Sequence, residues 1–265
     1  MFRKTLSFVR MGAQNLLAYK FEISLFTIIS FLSLSIYYFL WHTIYSYSNT
    51  TLVSGFTFSQ LMGYYILTNF AGAYFWSDMD SRISDRIRDG KLIVDLARPA
   101  TLLKTFVATE IGQTLFVLAV QTAPIIIMGV LLFNLRAGSL LSLVLSIISF
   151  SIAILLSMIF VFFVGLSSFW LTRYHGVRYA RSALTWILCG GVFPLAFLPQ
   201  FWQKILIILP FQHFVYTPIQ IFLGGYTSIT ALELIGLQIM WLVIFYGLVK
   251  LAWPRAMAKF SAAGG

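Results

Sequence analysis

Long uncharged stretches alternate with short charged ones along the chain. An α-helix needs about 20 mostly apolar residues to cross about 30 Å of hydrocarbon. Five stretches meet this length and predict membrane-spanning helices over residues 21–42, 56–77, 105–133, 140–172 and 229–250. Three of them hold one carboxylate each, from Glu22, Glu110 and Glu233. The pattern predicts an all-α polytopic membrane protein.

The region at residues 182–225 is also apolar, but Gly190, Gly191 and four prolines interrupt it. It is long enough for one crossing or two. One crossing, at residues 182–199, puts every basic cluster of the chain on one side, which the positive-inside rule favours. We therefore expect six crossings with both termini cytoplasmic and residues 200–225 as an outer re-entrant segment. Two kinked full crossings are the alternative.

Composition supports a membrane location. Hydrophobic residues make up 60% of the chain, charged residues 10%, and the mean hydropathy is +0.89, whereas soluble domains are about a quarter charged. Sixteen of the 18 Lys and Arg residues fall in clusters at residues 3–20, 82–104, 173–181 and 250–259. Because apolar runs separate these clusters, the net charge of +10 favours anionic lipids and a cytoplasmic partner over nucleic acid.

Residues 1–20 place apolar side chains at helical spacing among basic ones. This is typical of an amphipathic helix lying in the inner membrane interface. A simple basic flank that orients the first span is the alternative.

The loop at residues 78–98 is the most charged part of the chain and holds five of its eight carboxylates. Within it, Met79, Ile83 and Ile87 recur at helical spacing, and Gly90 can close a short helix. The same spacing allows ion pairs from Asp78 to Arg82 and from Asp85 to Arg88.

A short helix with both signs of charge and an apolar stripe suits a rigid lever that docks on a partner protein. The residues expected to contact the partner are Ile83, Asp85, Arg86, Ile87, Arg88 and Asp89. Arg173 and Arg178, in a second cytoplasmic loop, are further candidates. The alternatives are a solvated charged face for the first loop and topology determinants for the second.

Recognisable catalytic chemistry is missing from the sequence. Gly90-Lys91 lacks the other residues of a nucleotide-binding P-loop. The single Cys189 and three histidines form no zinc motif. We expect no catalytic, cofactor or metal site in this chain. Glu110, about five residues inside its span, is the candidate intramembrane polar site and is expected to contact a neighbouring helix, with proton coupling as the alternative.

The chain resembles the membrane subunit of an ATP-binding cassette (ABC) transporter of the type-2 exporter class. The resemblance rests on the charged loop after the second span, with Ile-Arg-Asp-Gly-Lys-Leu at 87–92 and Leu-Ala-Arg-Pro at 96–99. It also rests on the outer stretch Gly-Val-Phe-Pro-Leu-Ala-Phe-Leu-Pro at 191–199. It is most similar to small six-span permeases that often work beside a second related permease.

The resemblance implies a dimer with a second copy or a related permease, seated in lipid in a bacterial plasma membrane. It implies ATPase subunits that bind ATP and Mg²⁺ and contact residues 78–98. The function expected is ATP-driven export, and the apolar interior favours a hydrophobic or amphipathic substrate. A secondary transporter driven by an ion gradient, or a membrane anchor without a transport pathway, are the alternatives.

Overall fold

The computed structural model describes residue 11 and residues 20–48, 50–93, 102–171 and 174–263. These residues form helices and connecting turns, with one isolated β-bridge between Val53 and Phe56. The α-helices are α1 (Lys20–Ser48), α2 (Phe58–Phe75), α3 (Met79–Arg88), α4 (Leu102–Val117), α5 (Ala123–Phe133), α6 (Leu140–Gly165), α7 (His175–Leu188), α8 (Gln200–Leu206), α9 (Tyr216–Leu223) and α10 (Ser228–Ala263).

Four helical stretches of the described residues are long and apolar enough to cross a membrane. They are Ser24–Ser48, Leu102–Phe133, Leu140–Phe169 and Ser228–Phe260. These stretches coincide with the first, third, fourth and last predicted spans. The second of them joins α4 to α5 through a π-helical turn, Leu118–Thr122, directly before Pro124. Because proline has no N–H to donate, this turn lets the helix continue past Pro124.

Helix α2, in the second predicted span, lies inside the bundle. It is 18 residues long, about 27 Å at 1.5 Å per residue, and 11 of these residues are buried. A capping box starts it: the Thr57 side chain accepts from the Gln60 N–H, and the Gln60 side chain accepts from the Thr57 N–H. The other helices therefore shield much of α2 from lipid.

Residues 182–199, the fifth predicted span, are helical only in their first part. Helix α7 ends at Leu188, and Gly190 follows with φ +85°, a left-handed conformation that favours glycine. A Cβ on Gly190 would also lie 2.7 Å from the Tyr64 hydroxyl oxygen. The chain then continues irregularly until Phe197 packs against Trp41 and Phe56.

Two short helices, α8 and α9, occupy the region after residue 199. They have seven and eight residues, about 10 and 12 Å, so neither can cross a bilayer alone. Between them, the carbonyl of His213 accepts a hydrogen bond from Gln238 Nε2 (3.0 Å), in the first third of α10. Near the end of α9, the carbonyl of Phe222 accepts from the N–H of Gly138 (2.9 Å), just before α6. The segment thus enters the bundle and returns to the end where α6 begins.

The opposite end of the bundle, which we name the charged end, carries most of the charge. There, Met79 and Ile83 of α3 share a buried apolar cluster with Leu102 of α4, Phe162 of α6 and Val249 of α10. The basic residues near 82–91, 178–181 and 250–259 belong to elements that meet at this end. The amphipathic helix predicted for residues 1–20 lies outside the described residues, apart from Met11 and Lys20.

Candidate functional site

Helix α3, predicted from the charged loop, is present and lies across the charged end. Its first N–H groups lack a cap from Asp78; instead the Ser77 hydroxyl accepts from the Met79 N–H (3.2 Å). The fully buried Ile83 packs over Gly165, the last residue of α6. A Cβ at Gly165 would lie 3.1 Å from the Asp80 Cα, so glycine allows α3 to rest directly on α6.

A buried ion pair joins α3 to α7. The carboxylate of Asp80 is fully buried, and its Oδ2 accepts from Arg181 Nε (2.8 Å) and from the Tyr174 hydroxyl (3.0 Å). Its Oδ1 accepts from the N–H of Ser81 (2.9 Å). The Arg181 side chain is only 5% exposed and also donates to the carbonyl of Ser77 (3.4 Å). Several donors thus stabilise the buried carboxylate.

The hydroxyl of Tyr174 is held in its protonated, donating form. Burial is the main reason that its pKa is raised, and the neighbouring Asp80 carboxylate raises it further. Because the hydroxyl keeps its proton at neutral pH, it donates to Asp80 throughout the physiological range.

A second ion pair at the same joint links Asp78, just before α3, to Arg178 of α7. The sequence spacing had also allowed a pair between Asp78 and Arg82. Arg82 forms an ion pair with Glu110 of α4, and its Nη1 donates to Gln113 Oε1 (3.0 Å). Asp78 thus pairs with a residue of α7 that is distant from it in the sequence.

Glu110 makes the interhelical polar contact expected from the sequence. Its side chain is 7% exposed, and Arg82 reaches it from the charged end. Burial lowers the pKa of Arg82, whereas the carboxylates of Asp78 and Asp80 act to raise it. Three attachments thus hold α3: apolar packing on α6, ion pairs to α7 and an ion pair to α4.

The face of α3 turned away from the bundle is polar. The Asp85–Arg88 pair expected from the spacing is present, with Arg88 Nη2 3.0 Å from Asp85 Oδ1. Beyond the helix, Lys91 Nζ lies 3.2 Å from Asp89 Oδ2, and Ile93 is exposed. We name the residues Asp85, Arg88, Asp89, Lys91 and Ile93 the docking face.

The residues proposed from sequence to contact a partner divide between this face and the interior. Asp85, Arg88 and Asp89 lie on the docking face. Ile83 is fully buried in the chain's own core, so it has no surface to offer a partner in this conformation. Ile87 is half-buried beside the same core, and the Arg86 guanidinium lies 5.5 Å from the centre of the Phe106 ring.

In the second loop, Arg178 is engaged by Asp78. Arg173 lies outside the described residues. Sequence reasoning missed the roles of Asp80, Tyr174 and Arg181. Asp80 and Arg181 are visible in the sequence as charges near helix ends, but about 100 residues separate them along the chain, so spacing does not reveal their pairing. Among the described residues, no group of three or more His, Cys, Asp and Glu could hold a metal ion.

A family model described as "ABC-2 family transporter protein" matches residues 31–264, which is most of the chain. The chain belongs to this family. It is accordingly the permease type of ABC transporter component, a multi-pass membrane protein that acts in transport. ABC-2 permeases are in general not themselves catalytic, and membership implies an ABC ATPase partner. Neither curated proteins nor solved structures gave a match to this ABC-2 chain.

Proposed function

We propose that this ABC-2 permease is driven by a separate nucleotide-binding subunit that docks on α3 and residues 89–93. The observation that carries the proposal is the threefold attachment of α3 to α4, α6 and α7. An element fixed this way transmits displacement to three parts of the membrane domain at once. Its polar, solvent-exposed face is the side left for a partner.

The docking face has the character of a protein contact. Both signs of charge lie beside one exposed apolar side chain, Ile93, which is 62% exposed. Charges at the rim of an interface orient the partner and speed association, while an apolar side chain supplies an anchor. In this proposal Ile93 supplies the apolar contact with the partner that the sequence had suggested for Ile83 and Ile87. ATP and Mg²⁺ belong to the partner subunit in this proposal.

Six crossings fit the arrangement of the helices. Helix α2 is long enough for one crossing, and α7 with the irregular residues 189–199 completes another. Both ends of the helical region then lie at the charged end, which we assign to the cytoplasm by the positive-inside rule. Residues 200–225 form the outer re-entrant segment, in a plasma membrane of bacterial type.

Export of a hydrophobic or amphipathic substrate is the transport reaction that we propose. A groove of about 660 Å³ lies between α1, α2 and α5, towards the end opposite the charged end. Aromatic and aliphatic side chains such as Phe31, Tyr38 and Met62 line it, with Ser59 and Asn134 among the few polar groups. Such a lining suits an apolar molecule better than a small ion. The exposed apolar face of α1 remains for lipid or for a second permease in a dimer.

Charge reversal on the docking face tests the proposal. The full chain is purified in mild detergent from cells that express it with its ATPase, and a co-purifying subunit is identified by mass spectrometry and by ATP hydrolysis. The variant Arg88→Glu/Lys91→Glu should lose this subunit, because both exposed cations become anions.

The matched control is Lys204→Glu, a reversal at an exposed lysine of α8, which should keep the subunit. Full retention of an ATP-hydrolysing subunit by the docking-face variant would contradict the proposed site. Absence of any such subunit from the unmodified chain would contradict the proposed function itself.

A further inference from the structure

Helix α7 is attached to α3 by polar contacts. The buried apolar cluster that contains Met79 and Ile83 draws its described members from α3, α4, α6, α10 and neighbouring turns, and none from α7. The apolar packing of α7 is directed elsewhere: Trp186 lies against Phe75 and Trp76 at the end of α2. The direct contacts between side chains of α3 and α7 are therefore charges and hydrogen bonds.

The contact between the two helices is built as a directional joint. Arg181 holds two groups at the start of α3, the Asp80 carboxylate and the Ser77 carbonyl. Tyr174, just before α7, donates to the same carboxylate oxygen. Ion pairs with several hydrogen bonds keep their geometry because each bond restricts the direction of the others. Full burial of Asp80 also protects the pair from screening by salt.

We infer that Asp80, Arg181 and Tyr174 form the joint that carries ATP-driven displacement of α3 to α7. These are positioning residues, since none lies on the docking face. The inference rests on the proposed function and adds that separate contacts of α3 act on separate helices. The Arg82–Glu110 pair ties α3 to α4, whereas the Asp80 joint moves α7. The re-entrant segment moves with α7, because the Tyr216 N–H donates to the Cys189 carbonyl at the end of α7 (3.1 Å).

Electron-spin distance measurements between two labels test the joint. Tyr179 on α7 and Tyr47 on α1 are both well exposed and are replaced by cysteine for labelling, while the native Cys189 is fully buried. The full chain is reconstituted with its ATPase subunit, and the label-to-label distance is compared with and without ATP and vanadate. The unmodified joint should give a shift in this distance.

The main variant is Asp80→Asn/Arg181→Gln, which removes both charges and so leaves no lone charge buried. It should lose most of the ATP-dependent shift while retaining the ATPase subunit. The control Arg82→Gln/Glu110→Gln removes the pair to α4 and should keep the shift. Tyr174→Phe deletes only one hydroxyl and keeps the inference testable if the double variant does not fold; it should reduce the shift.

The outcomes distinguish failure of the Asp80 joint from failure of the proposed function. A full shift in both the double variant and Tyr174→Phe, with the ATPase subunit still bound, would overturn the joint and leave the proposed function standing. Equal loss in the Arg82→Gln/Glu110→Gln control would also overturn it, because α7 would then not depend specifically on the Asp80 joint. Failure of the unmodified chain to bind an ATPase would overturn the proposed function and the joint together.

Discussion

Removing the charge of Asp80 alone is expected to destabilise the protein strongly. In Asp80→Asn the guanidinium of Arg181 remains 5% exposed but loses its counter-charge. Breaking a buried ion pair on one side costs about 3–5 kcal/mol, because the remaining charge is desolvated and uncompensated. The free energy of unfolding should therefore fall by about that amount. Asparagine keeps one acceptor oxygen, which favours the lower end of the range.

An exposed pair on the same helix supplies the matched control. Arg88 and Asp85 have side chains that are 66% and 46% exposed, so water screens their attraction. Arg88→Gln should change the free energy of unfolding by about 0–1 kcal/mol. Both variants alter one charged side chain at the charged end, so a difference between them reports burial and pairing.

Reversible unfolding by SDS in mixed micelles, followed by tryptophan fluorescence, can measure these changes. The double variant Asp80→Asn/Arg181→Gln should cost less than the sum of the two single changes, by about 1–3 kcal/mol, because neither charge is left alone. Equal losses of unfolding free energy in Asp80→Asn and Arg88→Gln would show that burial of the Asp80–Arg181 pair does not set the cost. Strict additivity of the two changes at the joint would contradict the role of the pair as well.

Two further substitutions test the packing around the re-entrant segment. In Gly138→Ala the new Cβ would lie 2.6 Å from the Cα of Gly224, so the free energy of unfolding should fall by about 1–3 kcal/mol in the same assay. The control Gly236→Ala has open space around its Cβ position and should lose no stability. Tyr64→Phe removes a buried 2.6 Å hydrogen bond to a backbone carbonyl, so it should cost about 1–3 kcal/mol of stability and lower the melting temperature. Tyr246→Phe changes an exposed side chain and should leave the melting temperature unchanged.

The sequence predicted features that depend on local pattern. Hydrophobic length located four long helices, because lipid demands uninterrupted apolar runs. The spacing of Met79, Ile83 and Ile87, followed by Gly90, predicted α3. Glu110 was expected to find a polar partner because an ionisable side chain inside an apolar helix is costly alone, and its ion pair with Arg82 agrees.

Features that depend on distant contacts were not predictable in this way. Periodicity shows that Ile83 lies on an apolar face, but it does not show that α6 covers that face through Gly165. The end of α7 at Leu188 depends on a left-handed turn at Gly190 beside Tyr64. The spacing allowed a local pair for Asp78 but gave no sign of its ion pair with Arg178, 100 residues later in the sequence.

Photocrosslinking from the docking face tests whether the ATPase attaches at α3 and the residues after it. A photoreactive amino acid is placed at Ile93, which is 62% exposed, and in a control chain at Tyr47, which is 86% exposed. With the full chain and its ATPase in membranes, we expect a crosslink from position 93 to the ATP-hydrolysing subunit and none from position 47. A crosslink from position 47 instead, or none from position 93 while the ATPase stays bound, would contradict α3 and the residues after it as the site of attachment.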